Sequence, residues 1–316
     1  MKKNLRIAFM GTPEFAVASL QALVDSEYQV VVVVTAPDRP AGRGRQLASS
    51  AVKNYARKQG IPVLQPARLK DPRFLEELKE FNVNLMVVVA FRMLPEAIWK
   101  LPAYGTFNLH ASLLPEYRGA APVNWAVING ETQTGVTTFF IDEQIDTGNI
   151  ILQQQTAVGP EETAGELHDR LMVLGAELVV ETVKRIEAGS LETRPQKHID
   201  SPKTAPKLNR ENCRITWEAG ALRIHDHIRG LSPYPGAWTM LENGPDTLQV
   251  KIYAVRLSEV KSAGKPGELK QDGHRLFAAS GDGWLELREM QLPGKRKMAV
   301  REILNGLSLV KGAHFS

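Results

Sequence analysis

The chain has 316 residues, 43% apolar and 23% charged, which is ordinary globular usage; it excludes a disordered or fibrous protein and suffices for two hydrophobic cores. Its single cysteine, Cys213, excludes an internal disulfide and a thiolate metal cluster and fits a reducing compartment. The net charge of +4 is unevenly spread: from Lys207 to Ser316 there are 17 Lys and Arg against 12 Asp and Glu, which suggests a polyanionic partner for the carboxyl-terminal part.

Leu5 to Met10 is a short apolar run that leads into a Gly-Thr-Pro turn, and it reads as a first strand rather than a signal peptide. The pattern then predicts a helix over Glu14 to Asp25, a strand over Gln29 to Thr35, and helices over Ser50 to Lys58 and Pro72 to Phe81. Strands follow at Asn84 to Ala90 and Gly105 to Leu109, a helix at Pro122 to Asn129, a strand at Val136 to Asp142, and a long helix at Thr163 to Glu187. Continuous apolar strands such as Leu85 to Ala90 are the kind buried on both faces, so a doubly wound α/β domain with a mostly parallel sheet is expected over residues 1–189. No window approaches the ~20 apolar residues needed to cross a bilayer.

Ser190 to Pro206 is polar, carries prolines and has no usable period, and it reads as a linker. Residues 207–316 then show one helix, Ala219 to Gly230, and short alternating runs such as Gln249 to Val255 and Trp284 to Leu287, separated by turns like Gly281 to Gly283. That texture predicts a smaller β-barrel domain, with an oligonucleotide-binding type barrel as one option.

In open α/β sheets reactive groups lie beyond the carboxyl ends of the strands. Asn108 and His110 are two apart at such an end, so in an extended segment both side chains leave the same face. The strand Val136 to Asp142 runs into Glu143-Gln144-Ile145-Asp146-Thr147-Gly148, and if the two strands are close Asp146 can reach His110. An imidazole, an amide and a carboxylate together can hold an oxyanion and collect a proton, as acyl or formyl transfer to an amine requires. Singly, a histidine at a strand end is more often a surface or capping residue, and Asn and Asp in loops are usually turn formers.

Other motifs carry less. No serine stands in a Gly-x-Ser-x-Gly elbow and Cys213 has no His partner in view, which disfavours a covalent acyl-enzyme. Gly11-Thr12-Pro13 lacks the later glycines of a dinucleotide fingerprint. His225 and His227, two apart on a helix, point about 200 degrees apart and cannot easily share a metal. The loop Asp38 to Arg45 sets three arginines among glycine and proline; it suits a phosphate backbone or a planar acid, with a solvated loop as the bland alternative.

Several segments together closely resemble the folate-dependent formyltransferases, and within them the members directed at methionyl-tRNA. They are Phe9 to Ala16, Ala36 to Arg45, Asn108 to Pro115, Tyr117 to Pro122, Asp142 to Gly148, Ala205 to Leu208 and Leu231 to Trp238, so the likeness spans both domains. The resemblance implies formyl transfer from 10-formyltetrahydrofolate, without a metal, to the amine of initiator methionyl-tRNA, by a cytoplasmic, membrane-free monomer serving translation initiation. It implies Asn108, His110 and Asp146 as the catalytic set. It places the reduced folate against Val88, Ala90, Phe91, Leu94, Ser112, Leu113, Leu114, Pro115 and Ile145, and the tRNA against Arg39, Arg43, Arg45 and Lys207. One departure stands out: Phe91-Arg92-Met93-Leu94-Pro95 is shorter than the matching segment of many relatives and lacks a glycine before Leu-Pro, and Arg92 receives no role. A formyltransferase for an amino sugar nucleotide or glycinamide ribonucleotide would share the catalytic set but need neither the arginine loop nor the basic barrel. A non-catalytic RNA-binding module is the more distant alternative.

Overall fold

The structure, a computed structural model, describes residues 3–41, 46–260 and 264–316. Among them the elements run β1 (Ile7–Gly11), α1 (Glu14–Asp25), β2 (Val30–Val34), β3 (Arg39–Ala41), β4 (Gln46–Ala48), α2 (Ala51–Lys58), β5 (Val63–Leu64), α3 (Pro72–Glu80) and β6 (Leu85–Val89). Next come α4 (Glu96–Trp99), β7 (Thr106–His110), β8 (Arg118–Gly119), α5 (Pro122–Ile128), β9 (Gln133–Phe140), β10 (Ile150–Ala157), α6 (Ala164–Ala188) and β11 (Thr204–Ala205). The rest are α7 (Ala221–Gly230), β12 (Ala237–Asn243), β13 (Asp246–Leu257), β14 (Leu269–Asp272), β15 (Arg275–Ala279), β16 (Trp284–Gln291), β17 (Met298–Ala299), α8 (Val300–Leu304) and β18 (His314–Phe315). No described helix is long and apolar enough to cross a membrane.

The chain forms two compact units. The first comprises residues 1–119, 134–157 and 168–204; the second takes residues 205–316 and also residues 120–133 and 158–167. In the first unit the described strands form a sheet in the order β10-β9-β7-β6-β1-β2-β5. The pairings of β1 with β2 and β6, of β2 with β5 and of β6 with β7 are parallel, whereas β9 runs antiparallel to β7. Strands β1 and β6 are buried at every residue, because helices cover both faces of the sheet. On one face Ala8, Met10, Val32, Val34, Met86 and Val88 pack with Phe74 and Leu78 of α3. On the other, α6 lies so near β7 that a Cβ on Gly175 would sit 2.7 Å from Leu109, and Thr182 meets Thr138 of β9 through a 2.8 Å hydroxyl pair. Asp71 caps α3 and Pro72 occupies its first turn, where a missing N–H leaves no helical bond unmade.

The second unit is a nearly closed antiparallel barrel, with described strands in the order β14-β15-β16-β13-β12-β18 and β17 beside β16. An antiparallel bridge between Glu268 and His314 brings the last strand to the residue preceding β14. Buried and half-buried residues alternate along β12, the period of a strand with one face on a core. That core holds Trp217, Ile224, Ile228, Leu241, Val250, Ile252 and Phe315, with Trp217 stacked on Phe315 at 5.0 Å between ring centroids. Ile128 of α5 belongs to the same cluster.

Candidate active site

Strand β7 sets the site. Its Phe107 and Leu109 are buried, while Asn108 and His110 leave the opposite face, as alternation along a strand requires. Asn108 registers with Val88 on β6 and Phe139 on β9, and His110 with Thr137 on β9. The Asn108 side chain is half-buried, and among the described residues its amide has no hydrogen-bond partner.

His110 is 6% exposed, and its Nε2 lies 2.9 Å from the Tyr117 carbonyl oxygen. A carbonyl oxygen only accepts, so Nε2 carries the proton and Nδ1 is left with either a lone pair or the second proton of the charged ring. The carbonyl is aimed by a loop with few loose backbone groups. The Ser112 hydroxyl donates to the Glu116 carbonyl at 2.6 Å, and the Thr137 hydroxyl donates to the Ser112 carbonyl at 2.6 Å. Leu114 N donates to Thr137 Oγ1 at 3.2 Å, and Gln153 Nε2 donates to the Leu114 carbonyl at 2.9 Å. Tyr117 itself has φ of 60° and is 5% exposed, and its N–H donates to the Lys203 carbonyl at 2.6 Å.

Asp146 arrives on the loop after β9. Asp142 starts that loop by accepting from Gln144 N at 3.1 Å and from the Thr147 hydroxyl at 2.7 Å. Gly148 ends it where a Cβ would stand 1.7 Å from the Phe140 carbonyl oxygen, so only glycine fits. Asp146 takes φ of 56°, a region that Asp tolerates better than most residues. Its Oδ2 accepts from Gly119 N at 3.1 Å and lies 3.9 Å from His110 Nδ1. This separation exceeds a hydrogen bond and suits a charge pair that forms when the ring is protonated. Gln196 holds the same loop, donating to the carbonyls of Asp146 at 2.8 Å and Gly148 at 3.0 Å. The structure thus brings Asn108, His110 and Asp146 to the ends of β7 and β9. The arrangement offers an amide donor, a proton-accepting Nδ1 and a carboxylate to balance the ring charge.

The residues expected around a folate divide by burial. Val88, Leu94, Leu114 and Ser112 are buried, and the Ser112 hydroxyl is committed to its own loop. Leu113, Pro115 and Phe91 are half-buried, Ala90 is exposed at φ of 47°, and Ile145 is 58% exposed. Arg92, which the sequence left without a role, donates to the carbonyls of Pro66 at 2.9 Å and Ala67 at 3.3 Å, while its Nε is buried without a partner. Burial, and secondarily Arg39, lowers the Arg92 pKa from its ordinary value.

Of the residues expected to meet tRNA, Arg39 is exposed and begins β3, which pairs antiparallel with β4 where the sequence suggested an arginine-rich loop. Asp38 anchors its base, accepting from the buried Lys53 ammonium at 2.5 Å and from Gln65 at 2.9 Å. These two bonds, the Lys53 bond foremost, hold the Asp38 carboxyl below its ordinary range. Arg43 and Arg45 lie outside the described residues. Lys207 is exposed at the start of the barrel. Near it is a hollow of about 310 Å³ lined in part by Arg210, Trp238, Gln249 and Lys251, which sequence reasoning did not single out as a site. The guanidinium groups of Arg210 and Arg214 stand 5.0 and 5.5 Å from the Trp238 ring centroid. None of Arg210, Arg214 and Lys251 has a carboxylate partner among the described residues. On α7, His225 bonds Glu161 at 3.1 Å, whereas His227 Nε2 is buried without a partner.

Residues 5–183 match the family described as formyl transferase, and residues 207–308 match the formyl transferase C-terminal domain. A methionyl-tRNA formyltransferase of Flavobacterium johnsoniae is 53% identical over 306 residues, 97% of this chain and 97% of that one. One from Bacteroides fragilis is 48% identical over 316 residues, 98% of this chain and 97% of that one. Among solved structures, an N-formyltransferase from Helicobacter canadensis in complex with folinic acid and dTDP-3-aminofucose superposes with a TM-score of 0.64 at 21% identity, covering 93% of this chain and 100% of that one. A likeness at that identity speaks for the fold.

Proposed function

The chain belongs to the formyl transferase family, and from that membership we propose that it moves the formyl group of 10-formyltetrahydrofolate onto the amine of initiator methionyl-tRNA, giving N-formylmethionyl-tRNA. The observation that carries the chemistry is the His110 ring, fixed at Nε2 and presenting Nδ1 3.9 Å from Asp146 on the strand it shares with Asn108.

In the attack the amine nitrogen bonds to the formyl carbon and the carbonyl electron pair moves onto oxygen, where the Asn108 amide donates to it. His110 Nδ1 accepts the amine proton, and Asp146 balances the charge that the ring acquires. His110 then returns that proton to the departing folate nitrogen as the bond from the formyl carbon breaks. Atoms and charge balance with no covalent enzyme intermediate.

The residues present fit a pteridine. Ile145 and Met93 are 58% and 71% exposed, and Phe91 is half-buried, so flat apolar cover would remove them from water. Phe91 packs against the core cluster that holds Val88 and Leu94, and in this reading those residues, with Ala90 and the Ser112 to Pro115 loop, line the folate site. Residues 1–189 carry the chemistry, and residues 207–316, beyond the connecting 190–206, hold the tRNA through phosphate contacts from Lys207 and the barrel, with Arg39, Arg43 and Arg45 at its acceptor end. We place the enzyme in the cytoplasm as a monomer.

Formylation assays with charged initiator tRNA, set beside free glycinamide ribonucleotide and amino sugar nucleotides, test the reading. Turnover confined to charged tRNA supports it, and turnover of a small amine at comparable kcat/KM overturns it.

A further inference from the structure

Residues 190–204 have a linker's composition, yet they are bonded into the catalytic unit at three places. Ile150 and Arg194 exchange backbone hydrogen bonds of 2.8 and 3.0 Å, and the Lys203 carbonyl accepts from Tyr117 N at 2.6 Å. Between these points Gln196 spends both amide hydrogens on the Asp146 and Gly148 carbonyls, while its Oε1 accepts from Arg118 Nε at 3.2 Å and Nη2 at 2.5 Å. The amide can be oriented only one way, since carbonyls only accept and a guanidinium only donates.

We propose that Gln196 is a positioning residue for formyl transfer, acting through Asp146. The proposal rests on the reading of His110 and Asp146 as the reacting pair. Glu143, Gln144 and Ile145 of the Asp146 loop are exposed, so packing does little to fix its shape. What fixes it is Asp142 on one side and Gln196 on the other. Arg118 closes a circuit. Its guanidinium holds Gln196, which holds the Asp146 main chain, and the neighbouring Gly119 N holds Asp146 Oδ2. Backbone and carboxylate of one residue are thus oriented from two directions, at a distance from His110 where a small displacement changes how well charge is balanced. Without Gln196 the two carbonyls and Arg118 turn to water, and the loop loses the contact that keeps Asp146 at positive φ.

The test uses Gln196→Met, which keeps the volume and removes every bond, and Gln196→Glu, which keeps the Arg118 contact but sets a carboxylate against two carbonyls. Full-length variants are assayed on charged initiator tRNA, with thermal unfolding alongside and each substitution repeated in an Asp146→Asn background. The expected result is a fall in kcat of about a hundredfold, with KM for tRNA and folate and the melting temperature nearly unchanged. In the Asp146→Asn background Gln196→Met should add little, because both changes remove the same function. Unchanged kcat in whichever variant folds, a loss confined to KM, or a full additional loss in the Asp146→Asn background overturns the proposal. If His110→Ala or Asp146→Asn alone leaves formylation intact, the underlying reading of the reacting pair fails instead.

Discussion

His110 donates from Nε2 to the Tyr117 carbonyl at 2.9 Å, so Nδ1 is the ring nitrogen left uncommitted, and it lies 3.9 Å from Asp146 Oδ2. A backbone carbonyl, not the carboxylate, therefore selects the tautomer. In the proposed transfer this relieves Asp146 of orienting the ring and leaves it the task of balancing charge, for which separation matters more than hydrogen-bond geometry.

Replacing His110 by Ala should lower kcat by about a hundredfold to ten-thousandfold, the span of a positioned acid–base group. KM for charged tRNA should barely move, because a residue that is 6% exposed offers little surface to a macromolecule. Steady-state formylation over a range of tRNA concentrations reads both; activity within a few fold of the parent enzyme counts against the assignment.

Asn108→Ala removes the donor proposed for the oxyanion and should cost about a hundredfold to a thousandfold in kcat. Asp146→Asn keeps an oxygen for Gly119 N and loses only the charge, so its defect should appear in kcat while folate affinity, measured by fluorescence quenching, is preserved. A folate affinity lost in step with kcat would assign Asp146 to binding instead.

The cationic hollow on the barrel gives a salt prediction. With Arg210, Arg214 and Lys251 lacking carboxylate partners among the described residues, tRNA affinity should fall linearly on a log–log plot against salt. Each of Arg210→Gln, Arg214→Gln and Lys251→Gln that removes a phosphate contact should flatten the slope by about one. Filter binding at several salt concentrations measures it, and three unchanged slopes remove the hollow from the tRNA surface.

His227 predicts an acid limit on stability. Burial, with a smaller push from the Arg223 charge, outweighs the ring's hydrogen bonds to the Cys213 and Arg214 backbone and takes its pKa down from 6.5 to about 4. The folded state therefore excludes a proton that the unfolded chain accepts below 6.5, so stability is complete above that pH and lost as pH falls toward 4. The loss is about 3 kcal/mol at the lower end. Urea unfolding of the parent and of His227→Asn between pH 7 and 4 should converge by about that amount; parallel curves would contradict it.

The sequence revealed much of this wherever the signal resides in side chains. The apolar runs of β1, β2 and β6 read directly as buried parallel strands, and the two-residue spacing of Asn108 and His110 placed them on one face. Strand β10 escaped because Gln153, Gln154 and Gln155 interrupt its apolar start at the edge of the sheet, where polar residues are tolerated. The Tyr117 carbonyl could not be seen at all, since every residue carries such an oxygen and only the fold decides where it points. Gln196 was hidden for a related reason: one glutamine in a proline-bearing polar stretch looks like solvent-facing chain until its two carbonyl partners, 48 and 50 residues earlier, are known. The hairpin over Arg39 to Ala41 carries a proline and little apolar periodicity, so its pairing with Gln46 to Ala48 left no clear trace.

The chain visits the second unit twice before its final entry at residue 205, through residues 120–133 and 158–167. A gene fragment starting at residue 205 would omit α5 and with it Ile128, a member of the barrel core that lies against Gly230 of α7. The halves are therefore poor candidates for separate expression or for grafting onto a foreign catalytic scaffold. Any swap of barrels between relatives has to carry those two earlier insertions along with the tail.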